Sequence, residues 1–196
     1  MTFIKIAILS YLIGNISGSY LIGKIFLNKD VRKYGSGNAG TTNAFRVLGI
    51  YGGLGTFLID FMKGILLVLI IKKFFGLTYI PFAIFFGILG HDFPFYMKFK
   101  GGKGMAMTLG AFTALSIKLT IIPYFIWLIT VLITGYVSLG SLLFFISLAI
   151  FYILFGNLGI FSTVFIILIS AIGIIRHNSN IKRLIEGNEN KIGGKK

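Results

Sequence analysis

The chain is divided into apolar runs of membrane-spanning length, and this constrains its fold more than any other feature. A helix needs about 20 apolar residues, with a range of about 17–25, to cross the hydrocarbon core of a bilayer. Seven stretches meet or approach that length: 3–24, 50–71, 78–97, 104–118, 120–136, 138–155 and 158–175. In hydrocarbon every backbone N–H and C=O must be paired within the protein, so each run is read as a helix. Composition agrees. Only 12% of the residues are charged and 56% are hydrophobic, where a soluble domain averages about 25% charged. The expectation is an all-α integral membrane protein of seven transmembrane helices. It forms a single domain over 1–196 without large soluble parts, internal repeats or low-complexity linkers. Gly135 and Ser138 mark the turn between the fifth and sixth runs, and Gly156-Asn157 the next one. Five spans with re-entrant segments are the competing arrangement. Met1 to Leu27 is read as a retained first span and not a signal peptide. Its apolar run is long, it carries Asn15 and Lys24, and no small-residue cleavage site follows a short core.

The charges then assign sides. The formal net charge is +14. With seven spans, Lys5, Lys72, Lys73 and Lys118 fall on one side; apart from the intramembrane Lys63, every other Lys and Arg falls on the opposite side. The positive-inside rule places the N-terminus outside and the C-terminus in the cytoplasm. A positive surface also attracts anionic lipid or a phosphorylated substrate. With no cysteine in the chain, disulfide and thiolate chemistry are excluded. The tail from Asn188 to Lys196 is expected to be mobile.

Three polar stretches fall on the cytoplasmic side: YGSGNAGTTNAFR (34–46), GHDFPFYMKFKGGKG (90–104) and RHNSNIKRLIEGNEN (176–190). In the first, Gly35, Gly37 and Gly40 permit positive φ and close approach of backbone to a ligand. Successive N–H groups can then form an anion-binding nest. Ser36, Asn38, Thr41, Thr42 and Asn43 add neutral hydrogen-bonding groups, and the Arg46 guanidinium can fork onto phosphate oxygens. A plain surface turn needs one or two glycines, not this density of small polar residues. In the second stretch, Gly101, Gly102 and Gly104 bracket Lys103, with Lys100 just before. Lysine is a mobile point charge suited to phosphate. The Walker spacing is missing, and an ordinary basic loop is the alternative. His91 and His177 are the only histidines, and each flanks a polar loop, so either could serve as acid, base or orienter, or be structural. Asn180, three residues after His177, shares its face if the segment is helical. IKRLIEG (181–187) reads as a short interfacial helix closed by Gly187. In the second span Asp60 and Lys63, three residues apart, can neutralise each other; an intramembrane charge is a functional candidate, and the structural reading, a pair that tethers helices, is preferred. Gly14, Asn15, Ser17, Gly18 and Ser19 in the first span suggest close helix packing.

What is missing narrows the chemistry. Five dispersed acidic residues are a poor set for holding metals. There is no His-Glu-x-x-His and no CDP-alcohol phosphatidyltransferase pattern. The His-x4-Asp pair of soluble-faced acyltransferases is also lacking, because Tyr96 stands at that offset from His91. A metal-free transfer from an already activated donor fits these residues better. A transporter for an organic phosphate or anion, with a midplane site, is the rival reading. Against it, the polar residues cluster at one face and no inverted repeat is visible. A lipid-scaffolding protein would leave the motif density unexplained.

The three polar stretches closely resemble the cytoplasmic motifs of the bacterial acyl-phosphate:glycerol-3-phosphate acyltransferases. LIDFMKG (58–64) resembles that family's intramembrane Asp-Lys segment. The resemblance covers nearly the whole chain. It implies transfer of an acyl group from a long-chain acyl phosphate to the 1-hydroxyl of glycerol 3-phosphate. The products are 1-acyl-glycerol 3-phosphate (lysophosphatidic acid) and inorganic phosphate, in the first step of bacterial phospholipid synthesis. It implies further a multi-pass protein of the bacterial inner membrane whose active site faces the cytoplasm. The expected protein is a monomer with no metal, cofactor or nucleic-acid partner. Carried over, Ser36, Asn38, Thr41, Asn43 and Arg46, with Gly37 in the same loop, line one phosphate site. His91, Lys100, Gly102 and Lys103 line the other. His177 and Asn180 face the reacting centre, and Ser36 and Lys103 join them as catalytic groups. Either His177 removes the hydroxyl proton, or a substrate phosphate oxygen does so while His177 and Asn180 orient glycerol 3-phosphate. A phosphate monoester, with its second pKa near 6, is a competent base, and this version is preferred. Lys103 and loop N–H groups would stabilise the oxyanion, an effect worth roughly 3–4 kcal/mol per donor in other enzymes.

Overall fold

The computed structural model describes residues 1–192, and among these it is helical with no strand. Residues 193–196, the end of the tail expected to be mobile, lie outside the described residues. The chain forms two compact units, Met1–Leu115 and Ser116–Lys196.

In the first unit, α1 (Thr2–Asn15) breaks at Ile16, which is extended, and continues as α2 (Gly18–Leu21) and a wider turn over Ile22–Phe26. Ser17 caps α2, its hydroxyl accepting from the Tyr20 N–H. Next, α3 runs Thr41–Phe74 and α4 Ile80–Asp92. The 34 residues of α3 would measure about 51 Å if straight. They are divided at Gly49 (φ 74°, ψ −172°), a left-handed conformation that glycine adopts without strain. The arm after Gly49 is the second expected span. The arm before it, Thr41–Leu48, is helix where the sequence suggested loop.

Helices that lack a hydrophobic driving force in lipid associate through small residues. Here a Cβ on Gly14 of α1 would strike the Gly87 carbonyl of α4, and one on Gly90 would strike the Tyr11 carbonyl. A Cβ on Gly18 would crowd the Thr56 carbonyl of α3. The polar small-residue face of the first span therefore packs closely against neighbouring helices, as its composition suggested. The start of α5 (Met105–Thr134) is seated on α3 the same way, through Gly64 against Met107 and Gly110 against Phe61.

α5 extends over Met105–Thr134 and departs from helical geometry at Ser116 (φ −163°, ψ 99°). In the second unit the break is covered by side chains. The Thr120 hydroxyl (2.7 Å) and the Tyr152 hydroxyl (3.3 Å) both donate to the Ser116 carbonyl. α6 (Val137–Phe155), α7 (Ile160–Arg176) and α8 (Asn178–Ile185) complete this unit. α6 and α7 pack together, and the Phe145 ring occupies the space that a side chain at Gly173 would fill. α8 is closed by Gly187 at φ 71°, as its sequence suggested.

Among the described residues, four segments can cross a membrane by length and composition: Thr41–Phe74, Leu77–Met97, Met105–Thr134 and Val137–Phe155. Two bent pairs, Thr2–Asn15 with Gly18–Phe26 (41°) and Ile160–Arg176 with Asn178–Ile185 (53°), raise the count to six if each is one span. The difference from the expected seven lies in 104–136. The sequence divided that region into two runs, whereas the structure holds one helix interrupted at Ser116.

Candidate active site

The first polar stretch is built around Asn43, which is 1% exposed. Its Nδ2 donates to the carbonyls of Val31 (2.9 Å), Asn38 (3.0 Å) and Tyr34 (3.1 Å), and its Oδ1 accepts the Ser36 N–H (2.9 Å). Asn43 therefore holds the loop from inside and is not one of its outward-facing groups. Gly35 and Gly37, at φ 60° and 73°, let the chain wind around that amide. A Cβ on Gly35 would strike the Asn43 Oδ1. The buried Ser19 hydroxyl of α2 donates to the Ala39 carbonyl at 2.8 Å and fixes the far side. Loop residues Ser36 and Gly37 are exposed, Asn38 is half-buried, and Arg46 is exposed on the first arm of α3. Thr41 opens that arm, and its Oγ1 is buried without a hydrogen-bond partner. The free N–H groups of a helix N-terminus favour an anion, and an unpaired hydroxyl beside them suits a phosphate oxygen.

Arg32, just before this loop, is otherwise engaged. Asp30 accepts from its Nε (2.9 Å) and Nη2 (2.7 Å), and Nη1 donates to the Met97 carbonyl (2.7 Å). The Arg32 hydrogen bond holds the Asp30 carboxyl below its ordinary value of 3.8. Loop 27–40 is thereby pinned to the turn Phe95–Met97. Asn15 clasps the same turn from the α1 break. Its Oδ1 accepts the Phe95 N–H (3.1 Å), and its carbonyl accepts the Tyr96 hydroxyl (2.8 Å).

The second polar stretch is not one loop. His91 and Asp92 close α4 and are buried. The glycine-rich segment folds back over that end, with the Gly101 N–H donating to the Asp92 carbonyl and the Gly102 N–H to the His91 carbonyl, both at 3.1 Å. Two N–H groups of the glycine-rich segment, among them that of the expected phosphate-site residue Gly102, are thus used internally. His91 Nδ1 lies 2.7 Å from Lys63 Nζ, and a Cβ on Gly102 would collide with His91 Nε2. Lys100 is exposed, Lys103 is half-buried, and Gly104 has φ 71°.

Lys63 and Asp60 form the expected pair (2.9 Å) at 3% and 1% exposure. The pair also mends the α1 break. Lys63 donates to the carbonyls of Gly14 (3.0 Å) and Ile16, and Asp60 accepts the Gly18 N–H (3.2 Å). A cation at a helix C-terminus and an anion at an N-terminus is the favourable arrangement for both dipoles.

The third stretch belongs to the second unit. His177, 4% exposed, joins α7 to α8. Its Nδ1 is 2.7 Å from the Gly173 carbonyl. A carbonyl only accepts, so Nδ1 carries the hydrogen, and the lone pair of the ring in its neutral form is on Nε2. Asn180, 7% exposed, donates through Nδ2 to Glu189 Oε1 (2.8 Å), and Arg183 Nε donates to the other carboxylate oxygen (2.7 Å). The Ile192 N–H bonds the Gly135 carbonyl at 2.9 Å. The tail is thus tied down at Glu189 and Ile192, against the expectation of mobility from Asn188 onward, because its carboxylate completes the Asn180–Arg183 cluster.

Sequence reasoning missed Glu189 and the connection of Lys63 to His91, and it read Asn15 and Ser19 as packing residues without their hydrogen bonds to the 95–96 turn and to Ala39. Each acts on a partner brought near only by the fold. The available signal was their presence as polar residues in or beside apolar runs.

A family model described as glycerol-3-phosphate acyltransferase matches residues 4–187. The glycerol-3-phosphate acyltransferase of Finegoldia magna is 43% identical over 97% of this chain and 96% of its own length. The glycerol-3-phosphate acyltransferase of Thermotoga petrophila is 44% identical over 94% of each chain. Two crystal structures of PlsY (YgiH), an integral membrane glycerol 3-phosphate acyltransferase, share the fold. Its glycerol 3-phosphate form has a TM-score of 0.90 at 36% identity, covering 97% of this chain and 96% of that one. Its lysophosphatidic acid form has a TM-score of 0.87 at 35% identity, covering 97% and 95%.

Proposed function

The chain belongs to the glycerol-3-phosphate acyltransferase family, and from that premise we propose that it acylates the 1-hydroxyl of glycerol 3-phosphate with a long-chain acyl phosphate, without a metal. The hydroxyl oxygen attacks the acyl carbonyl. The carbon–oxygen bond to phosphate breaks, and lysophosphatidic acid and inorganic phosphate leave. The donor is a mixed anhydride with a good leaving group, so charge stabilisation and positioning suffice. The observation that carries this reading is the buried, unpartnered Thr41 Oγ1 at the opening of α3, beside a loop wound tightly around Asn43. An unpaired hydroxyl at a helix N-terminus suits a phosphate oxygen, and both proposed substrates bear phosphate.

Ser36, Gly37, Asn38, Thr41 and Arg46 bind phosphate in this scheme, with Asn43 shaping their loop. Lys100 and Lys103 supply the second positive group, with Gly102 and His91 shaping its backbone. His177 Nε2, as an acceptor, receives the hydrogen bond of the attacking hydroxyl. The proton passes to a substrate phosphate oxygen, and Asn180 steadies glycerol 3-phosphate. The chain works as a monomeric single domain in the bacterial inner membrane. It crosses seven times, with the two arms of α5 counted separately, and its site faces the cytoplasm.

The test is phosphate release by purified protein in detergent, with acyl phosphate, glycerol 3-phosphate and EDTA. Phosphate and lysophosphatidic acid appear together, and only with both substrates. Ser36→Ala and Lys103→Ala each abolish turnover in folded protein. Survival of turnover in both variants would refute the site. A folded wild type without turnover would favour the anion transporter, to be read as flux across sealed vesicles.

A further inference from the structure

The Asp60–Lys63 pair is placed to do more than hold helices together. The 2.7 Å contact between Lys63 Nζ and His91 Nδ1 joins two nitrogens, so one must accept. An ammonium has only donors. Asp60 Oδ1 at 2.9 Å and the carbonyls of Gly14 (3.0 Å) and Ile16 favour the charged amine, whose three hydrogens are shared among these acceptors and His91 Nδ1. His91 Nδ1 is 3.7 Å from Asp60 Oδ1, too far to donate a hydrogen there. The acceptor is therefore His91 Nδ1, and the ring hydrogen sits on Nε2. That ring edge lies against Gly102, where any side chain at 102 would collide with Nε2. The Gly102 N–H bonds the His91 carbonyl, and the Gly101 N–H bonds that of Asp92. Backbone and ring of His91 thus grip the segment that leads into Lys103.

We propose that Lys63, oriented by Asp60, is a positioning residue for phosphate recognition: it fixes His91 as the Nε2–H tautomer, edge-on to Gly102, and so sets the glycine-rich backbone that carries Lys103. The proposal rests on the phosphate-binding reading of that loop. It gives the two histidines opposite roles. His177, with Nδ1 donating to Gly173, shows a lone pair at Nε2, whereas His91 shows an N–H there.

The chain holds only two histidines, so nitrogen-15 NMR of histidine-labelled wild type reads both directly, with His177→Gln giving the assignment. The expected result is an Nε2–H ring at 91 and an Nδ1–H ring at 177. An Nδ1–H ring or an imidazolium at 91 overturns the proposal, and this reading needs no turnover. The kinetic arm uses the double variant Asp60→Asn with Lys63→Met, which leaves no unpaired buried charge. In it the KM of one phosphorylated substrate rises by roughly tenfold or more, the scale of a lost hydrogen bond to a charged group, while the other KM and kcat stay near wild type. A rise confined to glycerol 3-phosphate, or one confined to acyl phosphate, supports the proposal and names the phosphate. A fall in kcat with both KM values unchanged overturns it. Within His91, Gln places a donor near the Nε2 position and Asn near Nδ1, so His91→Gln retains more affinity than His91→Asn. The reverse order also overturns the proposal. A wild type with the expected tautomers but no turnover would remove the enzymatic premise and leave the ring assignment standing.

Discussion

Thr41 and Asn43 stand two residues apart and do opposite things with their polar atoms. Every polar atom of the Asn43 side chain is used on the loop backbone, in four hydrogen bonds. Asn43→Ala leaves buried carbonyls without donors, at about 1–3 kcal/mol for each unsatisfied group. We expect a clear drop in thermal stability in detergent together with loss of activity. Thr41→Val removes a hydroxyl that has no protein partner. Its melting temperature should therefore hold or rise, while the affinity for a phosphorylated substrate falls. A Thr41→Val protein with wild-type KM values would show that the hydroxyl meets no substrate. At His177 the two mechanisms separate in kcat. General-base catalysis is worth about 10²–10⁴-fold, so a His177→Ala loss of that size with KM unchanged would favour the imidazole as base. A smaller loss, shared with the KM for glycerol 3-phosphate, is the outcome expected for an orienting role. The sequence made Thr41, Asn43 and His177 visible as candidates. It did not separate the lining residue from the organising one, because the direction of an amide inside a loop depends on where the carbonyls of Val31 and Tyr34 fall.

Among the elements, the spans and their close-packed faces were largely readable. The Gly14–Ser19 segment announced a tight contact, and Asp60 with Lys63 announced a neutral pair. The helical start at Thr41 was not readable, because a glycine-rich prefix masks a helix whose first turn is polar. Nor was the order in 188–192, which depends on Glu189 meeting Asn180 and Arg183. Glu189→Gln keeps the shape but loses the charge that Arg183 pairs with, so it should lower stability more than Glu186→Gln. Glu186 is 46% exposed and meets Lys182 at 3.9 Å, a surface pair worth about 0–1 kcal/mol. Equal melting temperatures for the two variants would contradict that ranking. Loop 27–40 should respond to acid. Arg32 lowers the folded-state pKa of Asp30, so this contribution is fully present above the ordinary value of 3.8 and is lost as pH falls through the lowered folded value. Asp30→Asn should reproduce the loosened loop at neutral pH, seen as faster proteolysis within 27–40, and should flatten the acid dependence of that cleavage. Unchanged cleavage of the variant would mean the Arg32 bonds to the Met97 carbonyl and neighbouring groups suffice without the carboxylate.

For the whole molecule, the charge pattern and the helix lengths give different span counts, and the disagreement concentrates on Lys118. If α5 crossed once as a single long helix, Lys118 would sit near its middle. A lysine at the centre of a spanning helix costs about 2.5–3.5 kcal/mol on insertion scales, and Lys118 is exposed in the structure. The break at Ser116, two residues earlier, offers a way for this residue to reach a membrane surface. The proposed seven-span topology puts it on the outer side with Lys5 and Lys73, away from Lys29, Lys100 and Lys182. The chain has no cysteine, so single cysteines at these exposed positions can be labelled in intact cells without background. A membrane-impermeant maleimide should react from outside at positions 5, 73 and 118, and at 29, 100 and 182 only after the cells are opened. Reaction at 118 only after opening would make the first arm of α5 re-entrant. Failure at 118 under both conditions, with 182 now reacting from outside and the other four sites as expected, would make α5 one span. Either result leaves three crossings between positions 100 and 182 in place of four, and so would carry the third polar stretch to the outside; labelling at 29, 100 and 182 alike only after opening is the outcome that keeps all three loops of the candidate site on the cytoplasmic side.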